Sequence, residues 1–268
     1  MNITASTSGS AGTLLREWRQ RRRLSQMDLA LEADISTRHL SFVETGRSRP
    51  SRELLLHLAQ LLELPLRERN VLLVSAGFAP MYAERALDAP ELAAARAAIE
   101  LVLSGHEPYP AFALDRHWNL VRANRAAQRL FARVAPALVQ PPVNMMRLSL
   151  HPEGLGGALL NLDEVRARML NRLRRQVANT GDAVLTELLR ELSAMPGAPP
   201  ATAPVSDPYA GVLLPVRLRT PLGEVTLFST LAVFGTPVDV TLSELALESF
   251  FPGDEGSASI LRRLAEED

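Results

Sequence analysis

The sequence predicts two structural classes in one chain. An all-α domain of short helices comes first, and an α+β domain with a small antiparallel sheet follows. Three observations carry this. Up to residue 77, apolar residues recur at helical spacing in five short runs, each bounded by a capping residue or a breaker. Beyond residue 105 the period changes in places to strand-like alternation. The length, 268 residues, corresponds to about two domains.

The elements follow in order. Residues 1–10 are small and polar, and read as a disordered tail. Leu14, Leu15 and Trp18 share one face of a first helix, which Arg21-Arg22-Arg23 ends. Ser25 with Asp28 three residues on predicts a capped second helix, with Leu29, Ala30 and Ala33 inward. Asp34 marks a turn. Ser36 or Thr37 caps a third helix with Leu40 and Val43 inward, and Gly46 ends it. A fourth helix opens at Arg49-Pro50-Ser51 and carries a leucine stripe to Leu62, and a fifth covers about Leu66–Ser75. Residues 81–105 read as a linker and a connecting helix, Glu91–Ser104, with Leu92, Ala95, Ile99 and Val102 on one face. That stripe suits either a two-helix dimer seam or packing on the chain's own sheet.

In residues 106–268, Ala111–Asp115 and Trp118–Ala123 predict a hairpin around Arg116-His117. Asn124–Ala135 reads as helix and Pro136–Gly157 as irregular. Asp163–Asn179, capped by Asp163, is a strong amphipathic helix, and Gly181-Asp182 opens another. Residues 196–208 hold five prolines and read as a loop. Val212–Arg219 and Glu224–Phe234 are strands joined by a turn at Pro221-Leu222-Gly223. Thr241-Leu242-Ser243-Glu244 reads as a capping box for a helix through Phe250, and a last helix covers about Ser257–Ala265.

Composition excludes whole classes of function. There is no cysteine, hence no disulfide, thiolate metal site, iron–sulfur cluster or cysteine nucleophile. No apolar run approaches the ~18 residues of a membrane span, and the start lacks a signal-peptide pattern, so a cytoplasmic protein is expected. The five histidines show no metal-ligand spacing, and no catalytic or metal site is expected. No P-loop, dinucleotide fingerprint or nucleophile elbow occurs. The formal net charge of −1 hides an asymmetry: residues 1–80 hold 11 Arg against 8 acids, and the remainder 18 Arg against 22. A basic head on an acidic body points toward nucleic acid.

Two short helices joined by a tight turn, the second ending at Glu44-Thr45-Gly46, form a helix-turn-helix pattern. The stretch LSQMDLALEADISTRHLSFVETGRSRPSRELLLHLAQLLELP resembles the Cro/C1-type (XRE) DNA-binding domain. The likeness lies in the Leu24-Ser25-Gln26 opening, Ala30, the spacing to Leu40, and Glu44-x-Gly46-x-x-x-Pro50. It covers about residues 13–76, within an expected domain 11–80. Asp34 stands where that family has glycine, and Asp tolerates a left-handed turn. The resemblance implies a double-stranded DNA operator as partner. It places Ser36, Thr37 and Arg38 at the exposed start of the recognition helix, with Ser41 and Phe42 one turn on. Gln26, Arg47 and Arg49 would contact phosphates, with Arg22 and Arg23 as further candidates. A helical bundle used for protein contacts, with solvated arginines, is the rival reading.

Residues 106–255 resemble the MmyB-like ligand-binding domain, which has a PAS-like α+β fold and in that family follows a Cro/C1-type head. The segments HEPYPAFALDRHWNLVRANRAAQRLF, RLSLHPEG and LLPVRLRTPLGEVTLFSTLAVFGTPVDVTLSELALESFFPGDE carry the likeness. It implies a sensor with a small apolar, fatty-acid-like ligand and no other cofactor. The apolar side chains expected at such a ligand are Phe112, Leu114, Leu120, Met146, Met169, Leu173, Phe228 and Phe234; the alternative is that they form a dry core. Arg172 and Arg174 either bind a ligand carboxylate or sit on an exposed helix face, the latter being favoured. Asn124 reads as a buried helix cap. The combined expectation is a ligand-responsive transcription regulator, not an enzyme, binding a two-fold operator as a homodimer. An antitoxin-like or scaffold protein whose C-terminal half holds a protein partner is the alternative.

Overall fold

The computed structural model describes residues 9–195 and 215–266. Most of the expected tail, the proline-rich loop 196–208 and the first residues of the strand expected from Val212 lie outside the described residues. The chain forms two compact units. One comprises residues up to Ala86 together with Thr236–Ser243; the other comprises Leu87–Gly235 and the residues from Glu244 onward.

The first unit is built from helices α1 (Ala11–Arg21), α2 (Gln26–Glu32), α3 (Thr37–Glu44), α4 (Arg52–Leu61) and α5 (Leu66–Ser75). Each of the first four starts on a serine whose side chain accepts a backbone N–H. Ser10 accepts from Thr13, Ser25 from Asp28 in a full capping box, Ser36 from His39, and Ser51 from Leu54. Each such cap stabilises its helix by about 1 kcal/mol. Ser10 is therefore part of α1's start rather than of a tail. Between the two choices at α3, Ser36 is the cap. The α2–α3 turn uses Asp34 at φ +52, and Gly46 follows α3 at φ +73, both in the left-handed region. Leu15, Leu29, Leu40, Leu55, Leu58 and Leu62 are fully buried and form the core. A Cβ on Gly12 would come within 2.4 Å of the Val43 carbonyl oxygen, so glycine lets α1 approach the end of α3.

Thr236–Ser243 joins this unit by specific bonds. Val240 N–H donates to the Ala83 carbonyl at 2.8 Å, the Thr241 hydroxyl donates to the Arg85 carbonyl, and Arg85 pairs with buried Asp239 at 2.9 Å.

The second unit contains α6 (Ala93–Gly105), β1 (Ala111–Leu114), β2 (Leu120–Ala123), α7 (Arg125–Phe131), α8 (Met145–Leu150), α9 (Leu162–Thr180), α10 (Ala183–Ala194), β3 (Val216–Thr220) and β4 (Gly223–Val233). Past α11 (Val240–Ser243), which belongs to the first unit, it continues with β5 (Ala246–Pro252) and α12 (Glu255–Glu266). The strands form one antiparallel sheet in the order β2-β1-β5-β4-β3.

Five expectations need correction. The helix expected from Thr241 through Phe250 is one turn followed by strand β5. That strand bonds to β1 on one side and β4 on the other, and two ladders outweigh a local capping signal. The stretch expected to be irregular contains α8, capped by Asn144. The β1–β2 turn spans Asp115 to Asn119 rather than two residues. The Asp115 carboxylate accepts the N–H groups of His117 and Asn119, with Trp118 at φ +69. Helix α9 opens at Leu162, one residue before the expected cap. Leu92, just before α6, and Ile99 and Leu103 on it face inward, while Val102 faces outward, so Ile99 belongs to the chain's own core. Asn124 is the expected buried cap. It accepts from Ala127 and Ala111 N–H and donates to the Leu103 and Tyr109 carbonyls.

Candidate DNA-binding helix and ligand cavity

Helix α3 presents its first turn outward. Ser36, Thr37 and Arg38 are exposed, Ser41 and Phe42 are partly so, and Leu40, Val43 and Glu44 are buried. The Arg38 guanidinium lies 5.3 Å from the Phe42 ring centroid and has no hydrogen-bond acceptor among the described residues. Five N–H donors on an exposed helix start are what a guanine edge would engage. Arg47 is exposed just beyond α3, and its side chain is likewise uncommitted among the described residues.

Other predicted contacts also bond within the protein. Gln26, half-buried, donates an amide N–H to Glu44 at 2.8 Å. Arg22 donates to the Leu62 and Glu63 carbonyls. Arg49 reaches the Ala76 carbonyl at 3.4 Å and lies over the Phe78 ring. The reading from sequence missed Arg19, which holds Glu44 through two bonds of 2.7 and 2.9 Å. Burial alone would raise the Glu44 carboxyl, but hydrogen bonds from Arg19 and Gln26 and the Arg19 charge hold it below the usual glutamate value. The same hydrogen bond raises Arg19.

The second unit holds a half-open cavity of about 300 Å³ against one face of the sheet, at the small end of ligand cavities. Phe112 from β1, Leu227 and Ser229 from β4, and Glu248 and Phe250 from β5 form its sheet wall. The register explains this: Phe112 lies opposite Glu248, and Ser229 opposite Phe250, so all four share a face. Val165, Arg168, Met169 and Arg172 of α9 form the opposite wall, at spacings of three and four that keep them on one helix face. Met145 and Met146 of α8 and Trp118 complete it. Burial pushes the Glu248 carboxyl above the usual glutamate value, and the Arg172 charge and the Ser229 hydroxyl pull it back only in part.

Residues 95–264 match the family model described as the MmyB-like transcription regulator ligand binding domain, and residues 10–72 match a helix-turn-helix domain. The chain belongs to the MmyB-like transcription regulator family. No curated protein sequence matches it. One solved structure, described as an RNA-binding Light-Oxygen-Voltage receptor, is 14% identical with a TM-score of 0.24; the match covers 94% of this chain and 63% of that one.

In this MmyB-like chain the eight apolar side chains expected at a ligand divide. Phe112, Met146 and Met169 line the cavity. Leu114 and Leu173 are buried in the surrounding core, and Leu120 packs against it. Phe228 pairs opposite Phe251, on the other sheet face from Leu227 and Ser229, and so does not line the cavity. Phe234 lies past the end of β4 and does not line it either. Arg172, expected on an exposed helix face, lines the cavity instead. Among the described residues no group of His, Asp and Glu could hold a metal ion, and no helix is long and apolar enough to cross a membrane.

Proposed function

We propose that this MmyB-like regulator binds a two-fold operator in double-stranded DNA as a homodimer in the cytoplasm, and that a small fatty-acid-like ligand in the β-sheet cavity adjusts that binding. The single observation that carries the sensing role is the cavity itself. It lies within the stretch matched to the ligand-binding family and is lined mainly by Phe, Trp, Leu and the adaptable side chains of Met145, Met146 and Met169. Its ionisable lining is Arg168, Arg172 and Glu248.

The path of the chain supports coupling between ligand and DNA. Strands β4 and β5 both line the cavity, and the segment between them, Thr236–Ser243, is bonded into the DNA-binding unit. A ligand that favours one arrangement of β4 and β5 would act on that segment through covalent connection.

Denaturing extraction of the purified chain followed by mass spectrometry tests the ligand directly. A retained fatty acid supports the reading. Its absence, together with no binding of any fatty acid or alcohol of 8 to 18 carbons, would favour a scaffold whose C-terminal half holds a protein.

A further inference from the structure

A second, half-open groove of about 350 Å³ lies in the same unit, between α7 and α12. It adjoins the cavity on the α9 side, since Leu130, Leu155 and Leu218 line both. Ala126, Arg129 and Leu130 recur at spacings of three and four, which brings them to one side of α7. Leu261, Leu264 and Ala265 do the same on α12. Leu155, from the single turn Leu155–Ala158, and Leu218 of β3 supply the floor. A Cβ on Gly154 would fall 2.2 Å from the Leu148 carbonyl oxygen, so glycine lets that turn lie down against α8.

The groove combines this apolar floor with charge of one sign. Arg129 lines it half-buried, and Arg133 and Arg219 line it exposed. None of the three guanidinium groups has a hydrogen-bond acceptor or a carboxylate partner among the described residues. Glu224 stands opposite Arg219 on β4 but pairs with Arg217 at 3.7 Å. No Asp or Glu lines the groove. Its other polar side chain, Thr220, donates its hydroxyl to the Gly223 carbonyl at 2.7 Å. Like charges gathered in one place repel, and an occupant carrying carboxylates relieves that repulsion. The floor sets the other half of the requirement. It offers a small anion no buried polar partner, whereas large apolar side chains would cover its leucines.

We propose that this groove docks a peptide segment of a partner protein in which acidic residues are interspersed with large apolar ones. The apolar side chains fill the floor, and the carboxylates meet Arg129, Arg133 and Arg219 at the rim. Each guanidinium can hold a carboxylate through two parallel N–H bonds. The contact gives the DNA-bound chain a handle for a second protein. It uses neither Arg172 nor Glu248, and stands or falls independently of the fatty-acid reading.

Selection of displayed random peptides of about 12 residues on the full chain tests this. The Arg133→Ser/Arg219→Ser double variant is selected in parallel, with its fold checked by circular dichroism. The full chain should enrich peptides that carry Asp or Glu together with Leu or Phe, and the variant should not. By fluorescence anisotropy an enriched peptide should lose at least about threefold in affinity on the double variant. It should also weaken in high salt and on Leu264→Gln. Failure to enrich such peptides, or peptides that bind the double variant equally well, overturns the proposal. Hexaglutamate or pyrophosphate binding as tightly as the enriched peptide makes the groove a plain anion site and overturns the role of the floor. Self-association of the full chain that the double variant abolishes in sedimentation velocity puts a second copy in the groove and overturns the separate partner.

Discussion

Arg19 and Glu44 form a two-point ion pair inside the DNA-binding unit, with side chains only 9% and 1% exposed. The pair ties α1 to the last residue of α3, and Gln26 adds a bond from α2. Removing one partner leaves a buried charge. Arg19→Ala should therefore cost about 3–5 kcal/mol of stability in urea titrations, and a double replacement by apolar residues should cost far less. Glu44 lies below its ordinary value in the folded state. Its contribution is present above the unfolded glutamate pKa and is lost as pH falls through the lower folded value. Glu44→Gln should flatten that acid limb.

A second acid-sensitive contact sits in the other unit. Asp182 caps α10 through the Val184 and Leu185 N–H groups and meets His117 Nε2 at 2.9 Å. Burial pushes its carboxyl up, but His117 and the two N–H groups outweigh that and pull it to about 2. Its stabilising effect is complete above the ordinary aspartate value and disappears as pH falls toward 2. The loss is on the order of 1–2 kcal/mol, allowing for solvent screening. Asp182→Ala should remove this limb and also cost about 1 kcal/mol at pH 7 through the lost cap, read by thermal melts across pH.

On DNA, Arg38 and Arg47 should separate. Arg38→Ala should weaken a selected operator by about 1–3 kcal/mol and relax preference at one base pair. Arg47→Ala should weaken all sequences alike and lower the salt slope by about one unit. Fluorescence anisotropy at several salt concentrations measures both, and an unchanged operator affinity for Arg38→Ala would remove α3 as the reading helix.

Much of this was legible in the sequence, for physical reasons. Serine caps and left-handed turn positions are local signals, so the first five helices and the outward start of α3 could be read directly. The Gln26–Glu44 bond could not, because it depends on Glu44 and Arg19, far apart along the chain. Strand β5 was hidden by a local capping pattern, and with it Glu248. Arg172 did leave a signal: Val165, Arg168, Met169 and Arg172 repeat at helical spacing, which puts both arginines on the apolar face.

Dimerisation should use the outward face of α6, where Leu101 and Val102 are exposed, at 73% and 51%. Leu101→Glu with Val102→Glu should give a monomer of unchanged circular dichroism in sedimentation velocity. A dimer that persists places the interface elsewhere.

The most direct measurement is operator affinity of the full chain as laurate is titrated in. Coupling of about 1–3 kcal/mol, or roughly 5- to 150-fold, is predicted, and operator DNA must shift laurate affinity by the same factor. Laurate that binds the chain while operator affinity stays flat would contradict the account.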